Sequence, residues 1–413
     1  MSGPARLTEV RLGHAANCSA LGNVVNALVW SQVVAGAVWA AAEAWQARRR
    51  RTEPGGESRL TEDPSALLRY SDADEPVDHP PREAHLQITE ACGLPCVSCH
   101  MPTTASGRHV PLAALTHRLD QLAGDGILRV ALGGGEPLRH PDLAAIAEHA
   151  RALGLAIGVT TSGVGPHRTL AAFDQVNVSI DGLGEDFVRS RGYDGADAAL
   201  ATVTALTSEG PVIGVNIVLD RHNFDSVEAT VHAAIAAGAT DIQLLRLKPV
   251  GRALNDYHAR RLTPAQALAV WPLAQRLMAR HPGVTVRLDC ASIPYIAAHA
   301  DSATTGPLLA RMRAFGFRGC FGAAELVSVD VHGARHPCSF APSLATTSAT
   351  STQETTAWRA GVLSGPCGTC PFQPVCKGGC HAVSGAHGGD RFAPDPECPR
   401  VLAAMDAAAG TTL

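Results

Sequence analysis

Six short apolar runs alternate with helical patterns between residue 85 and about residue 280. The predicted strands are His85–Thr89, Ile127–Leu132, Leu155–Thr161, Gln175–Ile180, Val212–Leu219 and Ile242–Leu247. The predicted helices between and after them are Leu112–Ala123, Pro141–Leu153, Ala196–Ser208, Asp225–Ala237 and Pro264–Arg280. Regular strand–helix alternation favours right-handed crossovers and therefore a parallel sheet. We predict an α/β fold, a partial (β/α)6 TIM-like barrel with its functional residues at the carboxyl ends of the strands.

A loop with three closely spaced cysteines follows the first predicted strand. It runs Cys92-Gly-Leu-Pro-Cys96-Val-Ser-Cys99, a C-x3-C-x2-C spacing. Thiolates are the preferred ligands of iron–sulfur clusters, and four of them normally close a four-iron cube. Three thiolates leave one iron open for chemistry. The alternative is a zinc knuckle, but His100 is adjacent to Cys99 and badly placed to be the fourth ligand of the same ion.

Glycines and polar residues end several of the other predicted strands. These strand ends are Gly133-Gly134-Gly135-Glu136-Pro137, Thr161-Ser162-Gly163, Ser179-Ile180-Asp181-Gly182 and the run from Leu247 to Arg252. Any one of them could be an ordinary tight turn. Because all of them fall at the same end of the predicted sheet as the cysteine loop, together they predict a cofactor site.

The cysteine loop after the first strand and the Gly-Gly-Glu-Pro run after the second resemble the radical S-adenosylmethionine (SAM) enzymes. The resemblance covers roughly residues 85 to 250. It implies a [4Fe–4S] cluster bound by Cys92, Cys96 and Cys99, with SAM as the ligand of the open iron.

The resemblance also implies SAM-binding residues at the strand ends. They are Gly134, Gly135, Glu136, Ser179, Asp181, Arg191 and Leu247. Glycines let the backbone approach a ligand, the Glu136 carboxylate suits the ammonium group of SAM, and the Arg191 guanidinium suits its carboxylate. The chain departs from the usual family pattern at Ser98, where an aromatic residue is common, and at Ser162, where Asn is common.

Seven cysteines in the C-terminal part of the chain form a second pattern. They are Cys320, Cys338, Cys367, Cys370, Cys376, Cys380 and Cys398. Their spacing resembles the SPASM extension of peptide- and protein-modifying radical SAM enzymes, which implies two auxiliary [4Fe–4S] clusters. By this resemblance Cys320, Cys338 and Cys380 bind the first cluster, and the other four cysteines bind the second. A zinc ribbon is the alternative, but seven ligands are too many for one zinc ion.

The first auxiliary cluster lacks a fourth cysteine in this pattern. Cys290 is the nearby candidate. Either Cys290 completes the cube, which we favour, or the cluster keeps an open iron that could bind substrate. Between Cys320 and Cys338, residues Glu325–Val331 predict a strand that turns at His332-Gly333.

The N-terminal segment differs in character from the rest of the chain. Residues 15–42 carry no charged side chain, and four arginines follow at Arg48 to Arg51. Such a segment could cross a bilayer with its basic end in the cytoplasm, pack as an Ala-rich helix against protein, or serve as a fused leader-like peptide. Cys18, within it, is interpreted as an ordinary small residue.

The charge and the placement of the cysteines restrict partners and compartment. A formal net charge of −4 gives no electrostatic footprint for nucleic acid. The cysteines are clustered, and no secretory signal precedes them, which indicates metal ligands in a reducing compartment rather than disulfides. We predict a cytoplasmic protein, with membrane association through the N-terminal helix as an open alternative.

Five segments follow from these patterns. We predict an apolar helix with a basic end at residues 1–51, a linker at 52–84, a radical SAM barrel at 85–285, a SPASM domain at 286–400 and a tail at 401–413.

The resemblances imply a maturase that cleaves SAM to a 5′-deoxyadenosyl radical and cross-links, dehydrogenates or epimerises a ribosomally made peptide or protein. Its partners would be that substrate and an external electron donor of the flavodoxin or ferredoxin type. The alternatives are a dehydrogenase of a small molecule or cofactor precursor, and an electron-transfer scaffold, which would not need Glu136, Ser179 and Arg191. Sulfatase maturases carry Asp after the cysteine that matches Cys338; Ser339 stands here and argues against that activity.

Overall fold

The computed structural model describes residues 81–208, 210–314, 319–341 and 352–410. The predicted N-terminal helix, Cys18 and all but the last residues of the predicted linker lie outside the described residues. The strands are β1 (Glu83–Thr89), β2 (Arg129–Gly134), β3 (Ala156–Thr161), β4 (Gln175–Ser179), β5 (Val212–Leu219), β6 (Asp241–Arg246), β7 (Thr285–Leu288), β8 (Leu326–Val329) and β9 (Arg335–His336).

Helices connect and cover these strands. They are α1 (Leu112–Gly124), α2 (Leu143–Ala152), α3 (Gly184–Arg191), α4 (Ala196–Leu206), α5 (Val227–Ala236), α6 (Tyr257–Arg260), α7 (Pro264–Arg280), α8 (Ile293–Ala297), α9 (Thr305–Ala314), α10 (Thr352–Ala360), α11 (Gln373–Cys376), α12 (His381–Gly388) and α13 (Pro399–Gly410). None of the helices in the described part of the chain combines the length and the apolar composition that crossing a bilayer requires.

The strands form one nine-stranded sheet in the order β7-β6-β5-β4-β3-β2-β1-β8-β9. The six predicted strands are contiguous, and each pairs in parallel with its neighbour, which confirms the predicted parallel α/β sheet. The sheet then continues on both sides. β7 adds in parallel to β6, and β8 adds in parallel to β1. The sheet thus takes strands from both sides of the domain boundary that we placed at residue 285.

The two faces of the sheet differ in polarity. On β1, Ala84, Leu86 and Ile88 are fully buried in the main apolar core, together with Leu115 and Leu119 of α1. Successive side chains on a strand point to opposite faces, so the other face carries the alternate residues. Those residues are largely polar and include Glu83, His85, Gln87, Arg129, Asn177, Asn216 and Gln243. The helix-covered face therefore holds the fold together, and the polar face is available for chemistry.

A short hairpin joins the two C-terminal strands. β8 and β9 pair antiparallel, as the predicted strand and its turn at His332-Gly333 require. Asp330 Oδ1 accepts hydrogen bonds from the backbone amides of His332 (2.8 Å) and Ala334 (2.9 Å). Gly333 has a φ of 90°, a conformation that favours glycine.

A buried ion pair fastens the C-terminal cysteine-rich segment to the sheet. The two terminal nitrogens of Arg246, at the end of β6, lie 2.6 and 2.9 Å from the two carboxylate oxygens of Asp395. The Arg246 side chain is 3% exposed and that of Asp395 is 0% exposed. Burial by itself would lower the pKa of Arg246, but the Asp395 charge more than offsets this and raises it.

Asp395→Asn should destabilise the protein by roughly 3–5 kcal/mol, because it leaves a buried guanidinium without its full counter-charge. The measurement is the midpoint of urea unfolding of the anaerobically purified protein. Glu228→Gln is the matched control, since Glu228 pairs with the half-exposed Arg276 and Arg280, and such surface pairs contribute about 0–1 kcal/mol. Equal midpoints for the two variants would contradict a fastening role for the buried pair.

Candidate active site

The glycine run at the end of β2 lies against the segment that leads into the cysteine loop. The amide of Gly135 donates to the Thr89 carbonyl (2.7 Å), and the amide of Glu136 donates to the Ala91 carbonyl (2.9 Å). A Cβ on Gly134 would lie 2.3 Å from the Thr89 oxygen, and one on Gly135 would lie 2.4 Å from the Ala91 oxygen. Gly134 also has a φ of 119°. Backbone packing therefore requires glycine at positions 134 and 135, whether or not a ligand also approaches them.

The segment after β6 also contacts the cysteine loop, although β6 and β1 are separated by four strands in the sheet. Arg252 Nε donates to the Cys96 carbonyl (2.8 Å), and the Arg252 amide donates to the Cys99 carbonyl (2.8 Å). A Cβ on Gly251 would lie 2.6 Å from the Cys99 oxygen. The sequence placed Gly251 and Arg252 at a strand end but did not assign them this role, because nothing local indicates which loop they contact.

The thiols of this loop lie near one another and near Glu136 and Arg191. Burial raises the pKa of the Cys92 thiol, and the nearby charges of Glu136 and Cys99 raise it further. Burial also raises the pKa of Cys96, although the Arg191 guanidinium acts in the opposite direction. Three adjacent thiols cannot all ionise without added positive charge. This donor set therefore suits a cationic iron–sulfur cluster core, because thiolates bind such clusters.

Glu136 is nearly buried, at 5% exposure, and its carboxylate is fixed by the end of β3. Its Oε1 accepts a hydrogen bond from the Thr161 hydroxyl (2.7 Å), and its Oε2 accepts one from the Ser162 amide (2.8 Å). The contribution of Ser162 is thus made by its backbone. The structure places the Gly-Gly-Glu run and the end of β3 together, as the strand-end pattern predicted.

Arg191 and Asp181, both expected to contact SAM, pair with each other. Arg191 Nε lies 2.7 Å from Asp181 Oδ2, and Arg191 NH1 lies 4.0 Å from the Cys96 sulfur. Asp181 Oδ1 also accepts a hydrogen bond from the Val218 amide (2.7 Å). Burial opposes the charge on Arg191, but Asp181 and Cys96 outweigh it and raise its pKa. Asp181 therefore orients Arg191 beside the cysteine loop, and SAM contact by either residue remains a prediction.

Tyr193 is a residue of this site that the sequence did not single out. Its hydroxyl is buried and has no hydrogen-bond partner among the described residues. Burial raises the pKa of Tyr193, the nearby charges of Cys96 and Glu136 raise it further, and Arg191 acts in the opposite direction. An unpartnered buried hydroxyl is costly, so its presence beside the cysteine loop fits a site that holds a further polar group.

Ser179 ends β4 and Leu247 follows β6, two strands that are separated by β5. Ser179 is partly buried at the end of β4, in register with Asn216 of β5. Leu247 is 4% exposed and packs in a small apolar cluster with Ala253 and Tyr257. SAM contact by these two residues remains a prediction.

Cys290, in the turn after β7, lies with the first group of C-terminal cysteines. Burial raises its pKa well above the usual range, and charge on Cys320 and Cys380 raises it further. Burial likewise raises the pKa values of Cys320 and Cys338 to about 12, with Cys338 acting on Cys320 and Cys380 acting on Cys338. Four thiols therefore share one region, and they come from three separate segments of the chain.

Two groups in this region are placed to stabilise thiolates. The indole nitrogen of Trp358 lies 3.1 Å from the Cys320 sulfur, to which it donates a hydrogen bond. Lys248 is buried and lies near Cys380 and Cys290, and its Nζ is 2.5 Å from Asp289 Oδ2. Burial lowers the pKa of Lys248, but Asp289 and these cysteines raise it, so the ammonium is retained.

The second C-terminal group consists of Cys367, Cys370, Cys376 and Cys398. Burial raises the pKa of Cys367 to about 11, with further contributions from Cys398 and Cys370. Burial raises that of Cys376 as well, and Cys398 and Cys367 add to the effect. Among the described residues, no three His, Cys, Asp or Glu side chains converge at the spacing of a single metal ion. Iron–sulfur ligation by the three cysteine groups remains a prediction.

Known proteins agree with this architecture. A family model described as the Radical SAM superfamily matches residues 86–234. This match includes the cysteine loop and the strands from β1 to β5. It is 28% identical over 337 residues to a PqqA peptide cyclase from Ruegeria pomeroyi, which covers 76% of this chain and 86% of that protein. It is 27% identical over 346 residues to an AdoMet-dependent heme synthase from Methanosarcina barkeri, over 77% of this chain and 96% of that protein.

A solved structure has the same fold. The crystal structure of Streptococcus suis SuiB bound to the precursor peptide SuiA matches with a TM-score of 0.62 at 13% identity, over 86% of this chain and 87% of that chain. The protein is therefore a radical SAM enzyme with a cysteine-rich C-terminal extension of the SPASM type. A radical SAM enzyme uses SAM and a [4Fe–4S] cluster.

Gly135→Ala should abolish SAM binding, because the added methyl group would push the Gly-Gly-Glu run away from Ala91 and displace Glu136. The measurement is equilibrium binding of SAM to the anaerobically reconstituted enzyme. Gly133→Ala is the control, since a Cβ at Gly133 meets nothing within 4 Å. Wild-type affinity in Gly135→Ala would show that this close backbone approach does not shape the SAM site.

Proposed function

We propose that the enzyme oxidatively modifies a ribosomally made peptide or protein, through a cross-link, a dehydrogenation or an epimerisation. The observation that carries this proposal is the presence of eight cysteines in two groups beyond the SAM-site loop. Cleavage of SAM needs only the cluster of the Cys92 loop. Further redox centres are useful when the reaction must also remove an electron from the substrate. The similarity to peptide cyclases, and the peptide complex of SuiB, favour a peptide over other substrates.

The assignment of the cysteines is part of the proposal. Cys92, Cys96 and Cys99 bind the SAM-site cluster. Cys290, Cys320, Cys338 and Cys380 bind the first auxiliary cluster, and Cys367, Cys370, Cys376 and Cys398 bind the second. The neighbourhood of the thiols supports both groups of four, including Cys290, since each group brings together side chains that raise one another's pKa.

The residues of the chain position the reactants. When bound, SAM supplies a 5′-deoxyadenosyl radical that abstracts hydrogen from an unactivated C–H bond. Glu136 and Arg191 orient SAM through its amino and carboxylate groups. Asp181 keeps Arg191 beside Cys96, and the apolar surface of Leu247, Ala253 and Tyr257 excludes water next to the adenine. The polar face of the sheet receives the substrate.

The remaining partners follow from this chemistry. An external donor of the flavodoxin or ferredoxin type supplies the electron that SAM cleavage consumes. Thiolate-bound clusters persist in reducing compartments, which favours the cytoplasm.

A second candidate is modification of a small molecule or a cofactor precursor. The similarity to an AdoMet-dependent heme synthase favours it. The two candidates differ in substrate and share the SAM site, so the identity of the modified molecule decides between them.

The deciding experiment is mass spectrometry of short peptides encoded beside this gene, each co-expressed anaerobically with the enzyme. We expect one peptide to become lighter by the mass of two hydrogens, or to take up deuterium from heavy water if it is epimerised. The Cys92→Ala, Cys96→Ala, Cys99→Ala triple variant is the control and should leave every peptide unchanged. Unchanged peptides with the intact enzyme would contradict the proposal and favour the small-molecule alternative.

A further inference from the structure

Tyr193 has a hydroxyl that the packing of the protein does not explain. The oxygen is buried and makes no hydrogen bond within the part of the chain that the structure describes. A buried donor without a partner destabilises a fold, so such groups commonly mark a place where a further polar group binds. Phenylalanine would fill the same space without that cost.

The ring of Tyr193 is fixed by its neighbours. Its centroid lies 5.4 Å from that of Phe187, and the two ring planes are at 86°. Gly195 approaches the ring so closely that a Cβ at this glycine would lie 2.5 Å from Cε2 of Tyr193. Phe187 is fully buried in the main apolar core, and Tyr193 packs against that core. A ring enclosed in this way holds its hydroxyl in one position.

The turn that carries Tyr193 lies against the cysteine loop. Gly192 ends α3 with a φ of 76°, a conformation that favours glycine. A Cβ on Gly192 would lie 2.8 Å from the carbonyl oxygen of Pro95, which is in the cysteine loop. The close approach of Gly192 to Pro95 therefore places Tyr193 beside this loop.

The hydroxyl lies among the residues that we assign to the amino-acid end of SAM. The charged groups that act on it are Arg191, Cys96, Glu136 and Asp181. Glu136 is assigned to the ammonium group of SAM, and Arg191 is assigned to its carboxylate. These two groups are attached to the same carbon atom of SAM. A hydroxyl that is near both residues is therefore near that end of the bound molecule.

A phenol suits the carboxylate of SAM better than its ammonium group. The phenol has one O–H donor and keeps its proton at neutral pH. An ammonium group has donors only, and Glu136 already offers it an acceptor. The carboxylate has acceptors only, and its expected partner Arg191 also pairs with Asp181 at 2.7 Å. A neutral donor would thus add a hydrogen bond to the carboxylate without bringing a competing charge.

We propose that the Tyr193 hydroxyl donates a hydrogen bond to the carboxylate of bound SAM, beside Arg191. The ring of Tyr193 then belongs to the core and its hydroxyl belongs to the SAM site. Neither the cysteine spacing nor the glycine run after β2 indicates this contact. The inference rests on the SAM site that the proposed function uses, and it is independent of which molecule the enzyme modifies.

Tyr193→Phe tests the contact, because it keeps the ring and removes the hydroxyl. The probes are SAM and decarboxylated SAM, which lacks the carboxylate. Their dissociation constants are measured by anaerobic equilibrium dialysis with the reconstituted enzyme and without a reductant, so that no turnover takes place. The variant should bind SAM about 10- to 100-fold more weakly, the scale of a hydrogen bond to a charged group, and should bind decarboxylated SAM as the wild type does.

Tyr295→Phe is the matched control. Tyr295 is also a buried tyrosine, at 1% exposure, but the cation over its ring is Arg246, 5.1 Å from the centroid. This variant should leave both dissociation constants unchanged. Iron content and the thermal unfolding midpoint of each variant show that it is folded and loaded.

Three results would overturn the contact. The first is wild-type affinity for SAM in Tyr193→Phe. The second is an equal loss of affinity for SAM and decarboxylated SAM, which would show a general disturbance of the site. The third is equal affinity of the wild-type enzyme for the two ligands, a result that does not depend on the folding of any variant. Unmodified peptides, in contrast, contradict only the proposed function, since both constants are measured without a peptide.

Discussion

The buried pair of Arg246 and Asp395 is the contact on which the arrangement of the cysteine groups depends. Asp395 is completely buried, and besides binding Arg246 it accepts a hydrogen bond from the Cys380 amide (3.0 Å) through Oδ2. Its carbonyl accepts another from the Cys398 amide (3.0 Å). One residue thus positions a cysteine of each C-terminal group against the end of β6. The segment that follows β6 contacts the Cys92–Cys99 loop through Arg252. All three cysteine groups are therefore positioned by contacts with β6 or with the residues that follow it.

The protein supplies too few positive charges to balance its clustered cysteines if all of them were thiolates. Burial raises the pKa of most of these cysteines, so the protein alone favours neutral thiols. The cations near the thiols include Arg191 near Cys96 and Lys248 near Cys290 and Cys380, each paired with an aspartate. Arg252 also acts on Cys92, and Arg246 acts on Cys380. They therefore cannot neutralise a full set of thiolates. The proposed cationic clusters would supply the missing positive charge, and their loading would then be coupled to folding of the cysteine-rich segment.

Much of the parallel sheet could be predicted from local sequence, and the assembly of the site could not. β5 and α7 begin and end at the predicted residues, α7 because Thr263 and Gln266 form a capping box before Pro264. The strand-end motifs were predicted to meet because parallel strands end at one edge. In contrast, the addition of β7 and β8, the contact of Arg252 with the cysteine loop and the pairing of Asp181 with Arg191 depend on long-range packing. No local pattern encodes these contacts, and the family resemblance implied ligand contacts for both Asp181 and Arg191.

We propose that eleven cysteines form three iron–sulfur sites, with Cys290 completing the first auxiliary one. Iron analysis and Mössbauer spectroscopy of the anaerobically purified protein test it most directly. We expect about twelve iron atoms per chain in three four-iron clusters. In Cys290→Ala, the Mössbauer signal of one cluster alone should change. About four iron atoms per chain, with zinc bound by the C-terminal cysteines, would contradict it.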